Sequence, residues 1–143
     1  MKKIYSLLFF VLAILFTAHA DEWLNNFSTA QQNSVLSGKP ILVYIAGTGW
    51  DPWSKKMDEE VFETQEFKKY AQENLILFRF DCLKKGPYDD PIKNALYTKL
   101  NIHGVPVCKL IDPKGGIIKK YVGYQRGGPD QFILKLQSAL KNK

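Results

Sequence analysis

Cysteine is scarce in this chain, and the two cysteines lie far apart. Cys82 and Cys108 are the only ones among 143 residues, and no Cys-x-x-Cys pair occurs. Small secreted domains that depend on disulfides carry several of them, so this chain is not a disulfide-dense scaffold. Burial of apolar side chains must therefore hold the domain together.

Blocks of charge of one sign are missing as well. The chain has 20 Lys and Arg residues against 14 Asp and Glu, a net charge of +6, and most adjacent lysines form dispersed pairs. A nucleic-acid footprint would gather basic residues along one face or stretch. We therefore expect no nucleic-acid partner.

The one long apolar run lies at the N-terminus. Two lysines precede Leu7–Phe16, and the small-x-small motif Ala18-His19-Ala20 follows. This pattern predicts a secretory signal peptide over residues 1–20, cleaved after Ala20; an uncleaved anchor is the alternative. The mature chain, 21–143, is then one domain of 143 − 20 = 123 residues, periplasmic or secreted, with no membrane association after cleavage.

Hydrophobic periodicity predicts alternating helices and strands over the mature chain. The runs 41–46 and 75–81 are apolar without alternation, which indicates strands that are buried on both faces. The predicted helices are 21–36, 52–62, 65–73, 91–100 and one that opens at 127–130; the predicted strands are 41–46, 75–81, 107–111 and 117–122. This order predicts an α/β fold with a mixed central sheet of about four strands and helices on both faces.

Apolar spacing also predicts which helix faces point inward. In the helix that starts at Pro52, helical spacing places Trp53, Met57 and Val61 on one face. In the helix 91–100, the same argument predicts an inner face formed by Ile92, Ala95, Leu96 and the stem of Lys99.

The segment Gly47–Lys56 carries the most specific pattern, Gly-Thr-Gly-Trp-Asp-Pro-Trp-Ser-Lys-Lys. It resembles the active-site segment of secreted thioredoxin-like proteins, of the thioredoxin and disulfide-isomerase type, which is roughly Gly-Ser-x-Trp-Cys-x-Trp-Cys-Lys-Lys. The resemblance extends to Lys39-Pro40, Gly104-Val105-Pro106, Asp112-Pro113 and Gly123. It implies a thioredoxin-like fold with a cis-proline loop at Val105–Pro106, and it puts Asp51 and Ser54 at the two cysteine positions.

Asp51 and Ser54 remove the chemistry that the resemblance would otherwise imply. Thiol-disulfide exchange needs an attacking thiolate and a second thiol that resolves the mixed disulfide. Asp is a preferred helix N-cap and Pro a preferred first helical residue, so Asp51 is predicted to cap the helix that begins at Pro52. Ser54 lacks the Gly-x-Ser-x-Gly turn and an evident base partner, so we do not expect a hydrolase nucleophile.

No metal site is expected around these residues. Asp51 has no second carboxylate or histidine at a recognisable metal-ligand spacing, and Asp58–Glu60 are predicted to form a solvated helix face. We therefore expect neither a metal nor another cofactor.

The two cysteines are predicted to be separate thiols. Cys82 ends one strand and Cys108 follows Pro106, and in this topology the strand 41–46 lies between them. Two strand spacings amount to about 9.6 Å, whereas a disulfide needs Cα atoms within about 7 Å. A bonded pair is the alternative, and a lone reactive thiol at Cys108 is a further one.

Three functions remain open. The preferred one is a redox-inactive protein that binds extended polypeptide, since the tryptophan loop and the cis-proline loop of this family form a peptide groove. The residues expected to line that groove are Trp50, Asp51, Pro52, Trp53, Val105 and Pro106. The second is thiol-disulfide oxidoreductase or isomerase-like activity through Cys108, with or without Cys82. The third is a structural or assembly subunit. In each case the expected partner is a polypeptide in the extracytoplasmic space.

Overall fold

The computed structural model describes residues 23–84 and 86–143. The predicted signal peptide, residues 1–20, lies outside these residues. None of the helices within the described ranges is long and apolar enough to cross a membrane.

A four-stranded sheet forms the centre of the molecule. Its strands are β1 (Ile41–Ala46), β2 (Ile76–Asp81), β3 (Val107–Ile111) and β4 (Ile117–Val122), in the spatial order β2-β1-β3-β4. β1 runs parallel to β2 and antiparallel to β3, and β3 and β4 form an antiparallel hairpin. The predicted mixed sheet of about four strands is confirmed.

β1 is buried on both faces, as its unbroken apolar run predicted. All six of its residues are buried. Alternate side chains enter different clusters: Leu42 and Tyr44 belong to one apolar core, and Val43 and Ile45 belong to the core on the other face of the sheet. Helices must therefore cover both faces.

The helices divide between these two faces. The first core receives α2 (Pro52–Met57), the π-helical turn Asp58–Phe62 that continues it, α3 (Gln65–Asn74) and α5 (Gly128–Lys141); the second receives α1 (Phe27–Ser37) and α4 (Pro91–Lys99). The first core is rich in aromatic contacts, with the Phe62 ring 4.4 Å from that of Tyr44 and 4.9 Å from that of Phe67. Such pairs add about 0.5–1.5 kcal/mol each beyond the area that they bury.

The predicted start of the first helix at residue 21 is wrong. The helix begins at Phe27, where the Asn26 side chain caps it by accepting a hydrogen bond from Thr29 N at 3.0 Å. Leu24 instead forms a short parallel bridge with Phe78 on β2. The ring of Trp23 packs 5.1 Å from that of Phe62. Trp23 and Leu24 pack against the two cores on either side of the sheet. Their apolar side chains serve this packing, and their spacing was misread as that of a helix.

The predicted inner face of the helix 91–100 is also wrong in part. Ile92 is 83% exposed, and Ala95 is exposed as well. Leu96 and Tyr97 pack against the second core instead, and Lys99 Nζ lies 5.1 Å from the Phe27 ring. The helix is rotated from the expected orientation because Tyr97, a large aromatic side chain, takes the inward position.

Candidate functional site

The loop after β1 and the start of α2 meet the Val105–Pro106 loop at one end of the sheet. Gly47 is the point of contact: a Cβ atom there would lie 2.6 Å from Asp51 Cβ and 2.8 Å from Val105 Cγ2. Only glycine fits so close an approach. The structure therefore brings together the two loops that the sequence assigned to one groove.

Asp51 is the N-cap of α2, as predicted. One of its carboxylate oxygens, Oδ2, accepts hydrogen bonds from Ser54 N and from Ser54 Oγ, both at 2.7 Å. Pro52 follows as the first helical residue, where its missing N–H costs nothing. The negative charge thus stays at the positive end of the helix dipole.

Ser54 is an internal structural residue. It is 1% exposed, and its hydroxyl donates to Asp51 Oδ2 while accepting from Gly47 N at 2.9 Å. The hydroxyl of Tyr44 donates to the Ser54 carbonyl at 3.0 Å. Because the hydroxyl is buried and used in both directions, it does not face a substrate.

Trp50 and Trp53 flank the cap and are partly open to solvent, at 41% and 50% exposure. Trp50 is held at one side, since its Nε1 donates to the Cys82 carbonyl at 2.6 Å. Trp53 stands 5.7 Å from the Tyr124 ring, and Lys56 Nζ lies within 6 Å of both ring centres, at 5.7 and 5.1 Å. The site is therefore bordered by three aromatic side chains.

The buried face expected for Trp53, Met57 and Val61 holds only for the last two. Met57 and Val61 have no exposed surface, whereas half of Trp53 is exposed. Trp53 lies in the first turn of α2, at the margin of the core, where Tyr124 is its packing partner.

The Val105–Pro106 peptide bond is cis. Pro106 is buried, and its carbonyl accepts a hydrogen bond from Gly123 N at 2.8 Å. Val105 is half-buried against Gly47. Within the described residues, the backbone N–H and C=O groups of Val105 make no hydrogen bond. Unpaired backbone groups of this kind can pair with an extended chain.

The two cysteines are free thiols on opposite faces of the sheet. Cys108 belongs to the first core and Cys82 to the second, with β1 between their strands. The prediction of two separate thiols is confirmed. Burial raises the pKa of both thiols, and for Cys108 the nearby Asp58 raises it further. A buried thiol with a raised pKa is the opposite of a reactive one, so the structure does not support Cys108 as a lone reactive thiol.

An arginine network beside the cap was missed from the sequence. Arg79 donates to both carboxylate oxygens of Asp58, at 2.8 and 3.0 Å, and through Nε to Asp81 at 2.6 Å. Its guanidinium carbon lies 5.0 Å from the Tyr44 ring centre. Thr48, in the loop after β1, donates to the same Asp81 oxygen. The network joins β2, the π-helical turn and the loop that carries Trp50.

The solvated face predicted for Asp58–Glu60 is therefore wrong for Asp58. Its side chain is 18% exposed and paired with Arg79, while Glu59 and Glu60 are exposed. The π-helical turn begins at Asp58, and such turns are frequent at functional sites. A sequence signal did exist, because Arg79 interrupts an otherwise apolar strand and a buried arginine needs an acidic partner.

The same network borders a cleft of about 390 Å³ on the β2 side of the cap. It is lined by Gly47, Thr48, Gly49, Trp50, Asp51, Pro52, Ser54, Lys55, Asp58 and Arg79.

Burial would raise the pKa of Asp81, but hydrogen bonds from Arg79 and Thr48 outweigh the effect of burial, and the pKa is lowered. Within the described residues, no cluster of three or more His, Cys, Asp or Glu side chains could hold a metal ion.

A family model described as a thioredoxin-like domain matches residues 27–140. The chain belongs to the thioredoxin-like family. The matched region contains β1 to β4, the Asp51 cap and the Val105–Pro106 loop, so the family and the fold rest on the whole domain.

Relatives within the family include proteins of disulfide metabolism. The chain is 28% identical over 123 residues to the disulfide bond reductase DsbH of Chlamydia pneumoniae, covering 84% of this chain and 73% of that protein. The structure of a DsbH oxidoreductase superposes with a TM-score of 0.74 at 26% identity, covering 85% of each chain. A thioredoxin from Thermus thermophilus shares the fold, with a TM-score of 0.65 at 15% identity over 84% of this chain and 88% of that one.

Proposed function

We propose that this protein is a redox-inactive member of its family that binds extended polypeptide outside the cytoplasm. The binding surface is the groove between Trp50–Ser54 and Val105–Pro106. The observation that carries the proposal is the hydrogen-bonded Asp51–Ser54 pair, which occupies the helix N-terminus where the family resemblance puts the dithiol. The frame of the site is retained while its sulfur chemistry is absent.

Disulfide reduction by this site has no route. Exchange begins when a thiolate attacks a disulfide sulfur, and it ends when a second thiol resolves the mixed disulfide. Neither a carboxylate nor a hydroxyl does this. The relative named a disulfide bond reductase therefore supports the fold of this chain, whereas its reductase activity is not carried over. No observation favours the alternative through Cys108, because its thiol is buried.

Polypeptide binding is supported by what the groove presents to solvent. Trp50 and Trp53 offer large rigid apolar surfaces with only two side-chain torsions each. Val105 offers an unpaired N–H and C=O, which suit strand-like pairing with an extended segment. A structural subunit would use the same surface, with a partner permanently bound in the groove. The two functions therefore differ in how long the partner stays bound, not in the residues that contact it.

The first experiment tests the loss of redox activity. We expect mature protein, residues 21–143, to show no insulin reduction with dithiothreitol above the uncatalysed rate. The variant Asp51→Cys/Ser54→Cys restores both thiols at the helix N-terminus, and we expect it to reduce insulin. The single variant Asp51→Cys is the matched control, since it has an attacking thiol without a resolving one. Catalysis by the unmodified protein at the rate of a dithiol thioredoxin would refute the proposal.

The second experiment tests binding with a reduced, carboxymethylated polypeptide that cannot refold, followed by fluorescence anisotropy. Trp53→Ser should weaken binding about tenfold, because truncating an exposed aromatic anchor removes a large share of contact energy. Leu36→Ser is the matched control: Leu36 is 86% exposed and lies near the opposite end of β1. Equal losses in both variants, or no binding by the unmodified monomer, would overturn the groove as a polypeptide site. A stable oligomer in size-exclusion mass measurement would indicate the structural subunit.

A further inference from the structure

The strand β4 forms one edge of the sheet and is separated by β3 from β1, whose end leads to the Asp51 cap. β4 is last in the order β2-β1-β3-β4, and its only strand partner within the described residues is β3. Its outer N–H and C=O groups therefore face solvent. An exposed edge of this kind is a template for pairing with another extended chain.

A groove with both apolar and polar lining residues runs beside that edge, between β4 and α5. It has a volume of about 920 Å³ and is open to solvent. Ile117 on the strand is 62% exposed, and Leu134 on the helix is 56% exposed. Ile118, Tyr121 and Ala139 add further apolar lining. A strand added to β4 would lay alternate side chains into this groove.

The charge of the groove selects the kind of chain that fits. Lys119 and Lys135 line it, and neither takes part in a salt bridge among the described residues. Lys135 donates only to the neutral Gln125 side chain, at 2.9 Å. The one acidic lining residue, Asp112, accepts hydrogen bonds from Lys114 N and Gly116 N, both at 2.9 Å, and so is engaged in its own turn.

The other face of the same strand is basic as well. Lys120 lies opposite Lys109 on β3. Lys109 Nζ donates a hydrogen bond to the Leu100 carbonyl, just after the end of α4. Lys119 points toward α5 because it lies opposite Leu110, a residue of the first core, and Lys120 therefore points away from it. An added strand would meet one lysine on each of its faces.

We propose that β4 and the β4–α5 groove bind an extended, acidic segment of a partner polypeptide by strand addition. The six residues of β4 span about 20 Å, which suits a segment of about six residues. Aliphatic side chains of that segment contact Ile118 and Leu134, and carboxylates lie near Lys119, Lys120 and Lys135. This proposal is independent of the function proposed for the Asp51 groove.

A second copy of this chain does not suit the edge. Antiparallel pairing of β4 with its own copy would bring Lys119 and Lys120 of one copy close to those of the other, and like charges across a strand pair are destabilising. An acidic partner, by contrast, neutralises the lysines that disfavour pairing with a second copy.

Two capped octapeptides test the proposal, one alternating valine and glutamate and the other alternating valine and lysine. We expect the glutamate peptide, at millimolar concentration, to shift and protect the β4 amides in ¹H–¹⁵N spectra while amides around Asp51 stay unchanged. The lysine peptide should not bind. In the variant Lys119→Glu/Lys135→Glu, affinity for the glutamate peptide should fall about tenfold and the preference should reverse.

The matched control is Lys69→Glu/Lys99→Glu, which makes the same change in net charge on α3 and α4, outside the groove. It should bind the glutamate peptide within about twofold of the unmodified protein. Equal binding of both peptides, no shift in β4, or equal losses in the two charge-reversed variants would each overturn the proposal. In those cases the lysines only protect the edge from unwanted pairing.

Discussion

Asp51 and Ser54 each make contacts that a thiol makes poorly. The Asp51 carboxylate accepts two hydrogen bonds, and the Ser54 hydroxyl donates one and accepts another. A thiol is a weak donor and a weak acceptor. The pair therefore stabilises the start of α2 through hydrogen bonds between oxygen and nitrogen groups.

Ser54→Ala should measure how much the hydrogen bonds of the Ser54 hydroxyl contribute to stability. The substitution leaves the buried Gly47 N–H without its acceptor, and a buried unpaired donor costs about 1–3 kcal/mol. We expect the free energy of unfolding in urea to fall by that amount with an unchanged m-value. Ser28→Ala, at an exposed helix position, is the control and should change stability by less than about 0.5 kcal/mol. An unchanged free energy of unfolding in Ser54→Ala would mean that the Ser54 hydroxyl does not stabilise the fold.

Among the elements, β2 has a role that the sequence did not predict, because it carries Arg79. Its Arg79 ties the π-helical turn to the loop after β1, through Asp58, Asp81 and Thr48. Tyr44 on β1 lies under the same guanidinium. Three elements that frame the Asp51 cap thus depend on one side chain. Trp50 belongs to the same short loop as Thr48, and its own Nε1 donates to the Cys82 carbonyl.

The network predicts a loss of stability in acid. The folded pKa of Asp81 lies below its ordinary value of 3.8, so its contribution is fully present above that pH and is lost as pH falls through the folded pKa. Thermal unfolding between pH 6 and about pH 2 should show a steeper loss in the unmodified protein than in Asp81→Asn. Asp130→Asn, at an exposed position in the first turn of α5, is the control. Parallel curves for Asp81→Asn and the unmodified protein would contradict the prediction.

In the whole molecule, the sheet separates the two cysteines. Cys108 lies in the core under α2 and α5, and Cys82 lies in the core under α1 and α4. Alternation of side chains across a strand makes this separation a consequence of topology rather than of distance alone. The domain is consequently held by its two apolar cores, as the scarcity of cysteine indicated.

Thiol counting tests this arrangement. In the native mature protein, we expect neither cysteine to react with Ellman's reagent within minutes, and both to react in denaturant, because burial excludes the reagent and raises the pKa. Intact mass should be the same with and without reduction. Ser28→Cys adds an exposed thiol and is the positive control, with one equivalent labelled at once. Rapid native labelling of Cys108 would reopen the alternative of thiol chemistry.

Local sequence patterns were sufficient for the four strands and for the Asp51 cap. The bounds of β1, β3 and β4 agree with the predicted ones, and β2 begins one residue later, at Ile76. These strands were predictable because a continuous apolar run or a turn of Asp, Pro and Gly acts through neighbours in sequence. The orientation of α4 was not predictable, since several of its residues are apolar and only packing selects among them.

The sequence by itself determined the order of elements, the Asp51 cap and the absence of a dithiol, because each depends on residues a few positions apart. The tertiary structure decided the rest. It paired Arg79 with Asp58, buried the Ser54 hydroxyl against Gly47, set Trp53 beside Tyr124 and placed the cysteines on opposite faces of the sheet. Most of these contacts join residues distant in sequence, and those residues meet only when strands and helices pack, so no local pattern specifies them.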